Sequence, residues 1–425
     1  MAVDFKKHKN FFFIPGVLMF LFIQIIFPMP GPMLYIYFFV VAFFILSKLG
    51  DGWKLNPACA LFLAATVISI LGNDIPAFFK PWERFFLFFM MFLGCAPMIS
   101  GPGVNRVRRQ VFMGSLWALA AISAWSFIGY FTGQGQYIWG FVNGYMGVTG
   151  HPNFLSFFVM MSMVWVAQLF FRCTTQKERI ICAGFWVACL ITILLSASRS
   201  ATACGLIGTI MVIYLRLQKN AGGIMTVVVV FVIAVIVAWP VLAPYTEAMS
   251  KKTSDNADAA IAASRGYIWE LRQMEIEESP VIGIGAYACD TKLPSANIFY
   301  NEKTGAIELG SSYLGMMSQI GYLGFISFLL ITVPLVLKVR RYAMKERTPY
   351  AQLIFSMIVP AAINMAFEGY AMTAGAVQCV FVWLLFGAAD QVDTVADYPI
   401  TWEKWDPPTP EQYVQWRDQQ TDKKL

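Results

Sequence analysis

The sequence has little charge: only 13% of its 425 residues are Asp, Glu, Lys or Arg, whereas 58% are hydrophobic. A soluble domain usually carries about a quarter charged residues and is about half apolar. Apolar runs long enough to cross a bilayer recur along nearly the whole chain. The composition therefore excludes an ordinary soluble domain and predicts an all-α polytopic membrane protein.

Sequence patterns for metal or nucleotide chemistry are also missing. The eight cysteines are scattered, mostly in or beside apolar runs, and none forms a CxxC pair. The chain has two histidines, and it contains no Walker loop, no HExxH motif and no DxD-like pair in a predicted outer loop. These absences argue against zinc, a structural disulfide, nucleotide hydrolysis and metal-dependent transfer from a nucleotide sugar. We therefore expect no cofactor.

Hydropathy predicts roughly twelve transmembrane spans. They are Phe11–Met29, Met33–Leu49, Pro57–Leu71, Trp82–Ser100, Gln110–Phe131, Asn153–Phe171, Ile180–Ala197, Ala201–Arg216, Gly223–Pro244, Ser312–Leu337, Tyr350–Phe367 and Ala374–Ala389. The first nine spans fill residues 11–244 and the last three fill residues 312–389. Between them the sequence predicts one large, partly helical loop at residues 245–311.

The basic residues indicate the orientation. They lie in short segments between apolar runs and form no patch of the kind that binds nucleic acid. If residues 1–10 are cytoplasmic, every inner connection is basic and no short outer loop is strongly so. We therefore expect a cytoplasmic tail at residues 390–425 and place the large loop on the opposite face. A second outer segment, Thr132–Pro152, is rich in glycine and aromatic residues.

Three arginines at the predicted outer rim are candidates for binding an anion, because a charge near hydrocarbon is costly and tends to face a cavity or a ligand. Arg199 lies in a tight polar turn between two spans, Arg84 lies one short step into the fourth span, and Arg265 lies in the large loop. A guanidinium offers several donors to a phosphate. Alternatively, Arg199 contacts lipid headgroups or caps a helix, Arg84 pairs with Glu83 or snorkels to the membrane interface, and Arg265 is solvated.

Two carboxylates lie where the chain is predicted to meet the outer interface. Glu308 precedes the tenth span, where it can act as a general base or complement a helix N-terminus that Ser311 caps. Glu368 ends the eleventh span and can bind sugar hydroxyls or face water. A further acidic run is predicted to be a solvated helix face: Glu275, Glu277 and Glu278.

His151 and Asn153 stand just outside the sixth span, beside a proline that favours a helix start. His151 is a candidate catalytic residue, and Asn153 can alternatively satisfy backbone groups. In the large loop, Tyr267 and Trp269 lie on a predicted helix. The glycines of Pro280–Gly285 predict a close approach of two backbones, but they form no nucleotide-binding fingerprint.

In their order along the chain, these pieces resemble the bacterial O-antigen ligase and O-antigen polymerase superfamily of membrane glycosyltransferases. The resemblance runs from about Arg84 to Ala389, and each motif is weak alone. The matching motifs are Gly150-His151-Pro152-Asn153, Ser198-Arg199-Ser200-Ala201, Arg265 with Trp269 leading to Pro280–Gly285, Gly310-Ser311-Ser312-Tyr313-Leu314, Gln319-Ile320-Gly321-Tyr322-Leu323-Gly324 and Phe367-Glu368-Gly369-Tyr370.

The resemblance implies a protein of the bacterial inner membrane, with a periplasmic active site. It also implies metal-independent, inverting transfer of a glycan from undecaprenyl pyrophosphate to a hydroxyl of an acceptor glycan or of lipid A core. Arg199 and Arg265 match arginines that hold the pyrophosphate in this family, and Arg84 is a further candidate. The candidate glycan-binding residues are Trp269, Tyr267, Tyr313, Glu368, His151 and Asn153.

The sequence departs from the ligase branch of the family at Glu308. That branch has a His–Asn pair just before the tenth span, whereas this sequence has Glu308 and no histidine there. The departure favours a polymerase of lipid-linked repeats with Glu308 as the base, and with a chain-length regulator and a flippase as further partners. A ligase is the first alternative. A transporter or flippase is the second, although no ionisable pair is visible within a predicted span.

Overall fold

The computed structural model describes residues 31–49, 53–73, 80–134, 136–139, 142–217, 265–288, 300–301, 306–373 and 376–393. The predicted spans Phe11–Met29 and Gly223–Pro244 lie outside the described residues, as do much of the large loop and nearly all of the predicted tail. The described part of the chain is mainly α-helical, as the composition predicts.

The helices follow the apolar runs of the sequence. In chain order they are α1 Gly31–Leu46, α2 Pro57–Leu71, α3 Pro81–Cys95, α4 Pro102–Phe131, α5 Pro152–Phe170, α6 Gln176–Leu195, α7 Arg199–Leu217, α8 Gly266–Glu278, α9 Ser312–Arg341, α10 Pro349–Met365 and α11 Val377–Ala389. A π-helical turn, Tyr342–Glu346, continues α9. Proline occupies the first turn of several helices, where its missing N–H costs no hydrogen bond.

Short antiparallel strand pairs join some of the helices. Strand β1 (Lys54–Leu55) pairs with β2 (Ile99–Ser100), and the hairpin of β3 (Gln136–Trp139) and β4 (Val142–Tyr145) precedes α5. The third pair is β5 with β6, Tyr300–Asn301 with Ala306–Ile307, and it leads towards α9.

Five helical segments within the described ranges are long and apolar enough to cross a membrane. They are α4, α5, α6, α7 and the segment Ser312–Glu346, while α2, α10 and α11 are shorter apolar helices. These segments support an integral membrane protein. The expected total of roughly twelve spans stays a prediction.

Helix α11 forms the centre of the described bundle. Every residue of α11 is buried, as expected for a helix that is apolar nearly all round. Its Trp383 ring lies edge-on to Phe92, with centroids 4.6 Å apart, and also packs against Phe62 and Phe328 at 5.6 and 5.9 Å. Because α11 contacts α3, α4 and α10, it fixes the positions of the surrounding helices.

Helix α9 is broken at Gly321, where φ is 64° and ψ is −173°. A segment that follows α8, residues 280–288, is inserted at the break and supplies the missing hydrogen bonds. The Tyr322 amide donates to the Pro280 carbonyl at 2.8 Å, and the Ile284 amide donates to the Ser318 carbonyl at 2.8 Å. The sequence predicts one uninterrupted span here, and only the inserted segment reveals the break.

Two glycines allow the inserted segment to approach α9 this closely. Gly283 has φ 76°, and a Cβ atom there would overlap the backbone of Gln319. Gly321 faces the Val281 carbonyl in the same way. The close backbone approach that the glycines of Pro280–Gly285 predict is therefore confirmed at Gly283.

We expect Gly321→Ala to lower the free energy of unfolding by about 2–4 kcal/mol, because the new Cβ meets the Val281 carbonyl and the left-handed backbone disfavours alanine. Gly184→Ala is a matched control, since its Cβ would enter open space within α6. Thermal unfolding of the purified full chain would measure both changes. Equal melting temperatures for Gly321→Ala and the unchanged chain would contradict this prediction.

Candidate functional site

The turn before α9 carries the first candidate residue. Gly310 has φ 67°, and its amide donates to the Glu308 carboxylate at 3.2 Å. The Ser311 hydroxyl accepts from the Leu314 amide, so Ser311 caps α9 as the sequence predicts. The Glu308 side chain is 52% exposed. The structure thus places an accessible carboxylate at the start of α9.

Arg265, directly before α8, lies between two carboxylates. Its Nη2 donates to Glu368 Oε1 at 2.6 Å, and its Nη1 lies 3.9 Å from Glu308 Oε1. Nη1 also donates to the Gly310 carbonyl at 3.2 Å. Arg265 therefore joins the two candidate acids, which are far apart in the sequence.

Trp269 lies one helical turn after Arg265 and helps to hold the same turn. Its indole N–H donates to the Gly310 carbonyl at 3.2 Å, and its ring lies 6.4 Å from the Phe367 ring. The neighbouring Tyr267 is 73% exposed. The described contacts of Trp269 fix the backbone, whereas Tyr267 leaves an aromatic surface open.

Glu368 connects three helices at their ends. Its Oε2 accepts from Asn153 Nδ2 of α5 at 3.2 Å, and its Oε1 accepts from Arg265 before α8. Its backbone carbonyl accepts from the Ser312 hydroxyl of α9 at 2.6 Å. The Glu368 side chain is only 16% exposed, so this connection lies largely away from solvent.

His151 and Tyr313 have structural contacts of their own. His151 caps α5, because its Nδ1 accepts from the Asn153 amide at 3.1 Å. Tyr313 donates its hydroxyl hydrogen to the Ala362 carbonyl at 2.8 Å, and its ring packs against Phe328. The predicted catalytic role of His151 and the glycan-binding roles of both residues stay predictions.

The other two candidate arginines lie outside this cluster. Arg199 is the first residue of α7, and none of its side-chain atoms makes a hydrogen bond or ion pair with the described residues. Arg84 of α3 lies near Tyr287 of the inserted segment; burial raises the pKa of Tyr287, Cys379 adds to the rise, and the charge of Arg84 opposes it. No described hydrogen bond or ion pair links either arginine to Arg265.

Arg199 nevertheless lies at the same end of the bundle as Asn153. A Cβ atom on Gly144 of the β3–β4 hairpin would lie 3.4 Å from the Ser196 carbonyl and 3.2 Å from Pro152. The hairpin therefore touches both the turn before Arg199 and the start of α5. We name the group Arg265, Glu308, Glu368 and Asn153 the arginine cluster, and Arg199 lies on a neighbouring turn.

Residues 184–329 match the family model described as O-antigen ligase. The matched region begins within α6 and ends within α9, so it contains Arg199, Arg265 and Glu308. The resemblance to the O-antigen ligase and polymerase superfamily is therefore confirmed. A comparison with curated proteins gives no match.

The O-antigen ligase match supports a glycan-transferring membrane enzyme in general terms. It also supports a lipid-linked glycan as a substrate. The two groups that complete the arginine cluster, Glu368 and Asn153, lie outside the matched region. Within the described ranges, no three His, Cys, Asp or Glu side chains are grouped as metal ligands.

One ion pair of α8 contradicts an expectation from the sequence. Glu275 is predicted to be solvated, but it is fully buried and pairs with the equally buried Arg272, with Nη1 and Oε2 2.8 Å apart. The Ser318 hydroxyl of α9 also donates to Glu275. Only Glu277 and Glu278 are exposed as predicted. The prediction was wrong for Glu275 because an acidic run alone does not show which face of α8 packs on α9.

A signal for this packing is nevertheless present in the sequence. The buried apolar residues of α8, Ile268, Leu271 and Ile276, recur at helical spacing. Arg272 and Glu275 fall on the same stripe, three residues apart, where they can form an ion pair. The stripe therefore indicates which face of α8 packs against a neighbour, whereas the burial of the charged pair on that face is decided by the packing itself.

Proposed function

We propose that this chain polymerises lipid-linked oligosaccharide repeats of an O-antigen, capsule or exopolysaccharide. The observation that carries the proposal is the placement of Arg265 between Glu308 and Glu368, because it puts an anion-binding group beside a candidate base. The donor would be an undecaprenyl-pyrophosphate-linked glycan at the periplasmic face of the inner membrane. The O-antigen ligase match supports this reaction class.

Glu308 is proposed as the general base. One of its oxygens accepts from the Gly310 amide, and the other accepts no hydrogen bond from the described residues. Glu368 is less suited, because its two oxygens already accept from Arg265 and Asn153. A base must be able to reach the proton that it removes, and the more exposed Glu308 meets this condition better.

The proposed reaction is a single displacement. The acceptor sugar hydroxyl attacks the anomeric carbon, and its proton moves to Glu308. The bond between that carbon and the pyrophosphate oxygen breaks, the electron pair stays on the pyrophosphate, and the configuration inverts. Arg265 and Arg199, with Arg84 as a further candidate, would hold the pyrophosphate and stabilise its charge as it leaves.

Arg265 keeps donors available for this task. A guanidinium has five N–H donors, and the described hydrogen bonds of Arg265 go to Glu368 and Gly310. None of the N–H donors of the Arg199 side chain is used in a hydrogen bond to a described residue. Tyr267 is proposed to stack on a sugar ring, since aromatic faces bind the apolar face of sugars and this ring is exposed.

A ligase is the second candidate, and the family match itself favours it, because the matching model is described as O-antigen ligase. In that case the acceptor would be lipid A core or a protein. A transporter would also be expected to have a broken helix, and α9 shows this feature. The support for a glycan-transferring enzyme places the transporter third.

Glycan analysis of a deletion strain tests the proposal. Loss of a polymerase is expected to leave glycans of a single repeat, because the repeats are made but not joined. Loss of a ligase would instead leave long polymer that remains on the lipid carrier. Electrophoresis and mass spectrometry of the lipid-linked and the attached glycans separate these outcomes. Unchanged glycans in both fractions would contradict both enzymatic functions, and restoration by the plasmid-borne chain is the control.

A further inference from the structure

Glu368 has contacts that a simple sugar-binding carboxylate would not need. Its oxygens accept separately from Arg265 and Asn153, at 2.6 and 3.2 Å. Its backbone is tied to α9 through the Ser312 hydroxyl, which also accepts from the Tyr370 and Ala371 amides. The carboxylate is therefore held in place from two sides before any substrate binds.

The charge of Glu368 opposes the binding of an anionic donor. Within the arginine cluster, the single guanidinium of Arg265 lies between the two carboxylates of Glu308 and Glu368. A pyrophosphate that approaches Arg265 also approaches Glu368, and like charges in a partly buried site repel one another. A residue whose only role was to bind the lipid-linked glycan would not be expected to carry a negative charge beside Arg265.

The same carboxylate restricts the orientation of Arg265. A free arginine side chain has several rotatable bonds, and fixing them costs conformational entropy. The 2.6 Å contact of Nη2 with Glu368 and the 3.2 Å contact of Nη1 with Gly310 hold the guanidinium in one plane beside Glu308. Preorganised donors stabilise developing charge better than donors that must first reorient.

From these contacts we propose that Glu368 is a positioning residue: it holds the Arg265 guanidinium in the orientation that stabilises the departing pyrophosphate, although its own charge weakens donor binding. Asn153 completes the arrangement by holding the second oxygen of Glu368. The inference rests on the proposed function. The sequence predicts that Glu368 binds sugar, whereas here Glu368 acts on the reaction by orienting Arg265.

The test uses Glu368→Gln in the full chain, purified into lipid nanodiscs, with the lipid-linked repeat extracted from the deletion strain as donor. We expect kcat to fall about 10- to 100-fold, because the departing pyrophosphate loses a correctly oriented N–H group of Arg265. We expect donor binding to stay equal or become tighter, because the repulsive charge is gone. Glu270→Gln is the matched control, since it neutralises an exposed acid of α8 and should change neither quantity.

A double-mutant cycle tests whether Glu368 acts through Arg265. If it does, Glu368→Gln should cause little further loss of kcat in a chain that already carries Arg265→Gln, because coupled residues are not additive. Full additivity of the two losses, or weaker donor binding in Glu368→Gln, would overturn the inference. Weaker binding of the acceptor alone would indicate that Glu368 contacts sugar.

Glu368→Asp covers the case in which the glutamine variant fails to fold. Aspartate keeps the charge but shortens the side chain, so the guanidinium should shift and kcat should fall without tighter donor binding. A Glu368→Asp chain with unchanged kcat would also overturn the inference. If the deletion strain makes normal glycans, the proposed function fails; if it does not and these variants behave as the unchanged chain, only the role of Glu368 fails.

Discussion

Replacing Glu308 by glutamine is expected to abolish polymer formation while the chain still accumulates in the membrane. Glutamine has nearly the same shape, and the Gly310 amide can still donate to its side-chain oxygen, so the turn before α9 should persist. The amide cannot take the proton of the acceptor hydroxyl. General-base catalysis contributes roughly 10²- to 10⁴-fold to a rate, and a loss of this size should leave single-repeat glycans.

The measurement is the glycan length distribution in the deletion strain that carries Glu308→Gln, together with the amount of the chain in the membrane fraction. Glu277→Gln is the matched control, because Glu277 is an exposed acid at the far end of α8 and should support normal chain lengths. Normal chain lengths with Glu308→Gln would reject Glu308 as the base. Normal chain lengths with Glu368→Gln would not affect the assignment of Glu308 as the base.

Replacing Glu275 by alanine is expected to be among the most destabilising single changes in the described part of the chain. Both partners of the Arg272–Glu275 pair are fully buried, and removing Glu275 leaves a buried positive charge without its counter-charge. Such a change typically costs about 3–5 kcal/mol. The hydrogen bond from Ser318 is lost at the same time, so α8 should also separate more easily from α9.

Thermal unfolding of the detergent-purified chain measures this effect, and Glu277→Ala is the control because that side chain is exposed. The double replacement of Arg272→Met and Glu275→Leu should recover most of the stability, since apolar residues of similar volume often replace a buried ion pair without loss. A Glu275→Ala chain that melts at the same temperature as the unchanged chain would contradict a stabilising role for the pair.

Much of the helical architecture could be predicted from the sequence, because the apolar runs that bury against lipid or against one another are continuous in the chain. Helix α2 begins and ends at the predicted residues, and α9 begins at the predicted Ser312 after its cap Ser311. These helix starts are local, because a proline or a capping side chain within a few residues marks them.

The break in α9 could not be predicted in this way. Although Ser318 and Gln319 are polar, most residues around Gly321 are apolar and continue the hydropathy pattern of the span. The hydrogen bonds that make the break possible come from residues 280–288, which are contiguous with α8 rather than α9. A broken helix depends on a partner segment that satisfies the exposed backbone groups, and that partner is a tertiary feature.

The candidate site, like the fold, was predictable from the sequence only in part. By itself, the sequence determined that this is a membrane protein of mainly α-helical structure, and its motifs singled out Arg265, Glu308 and Glu368 as candidates. Only the tertiary structure decided that Glu368 pairs with Arg265 across 103 residues and that Glu275 is buried. The physical reason is that hydropathy and capping act within a few residues, whereas an ion pair forms only where packing brings distant charges together.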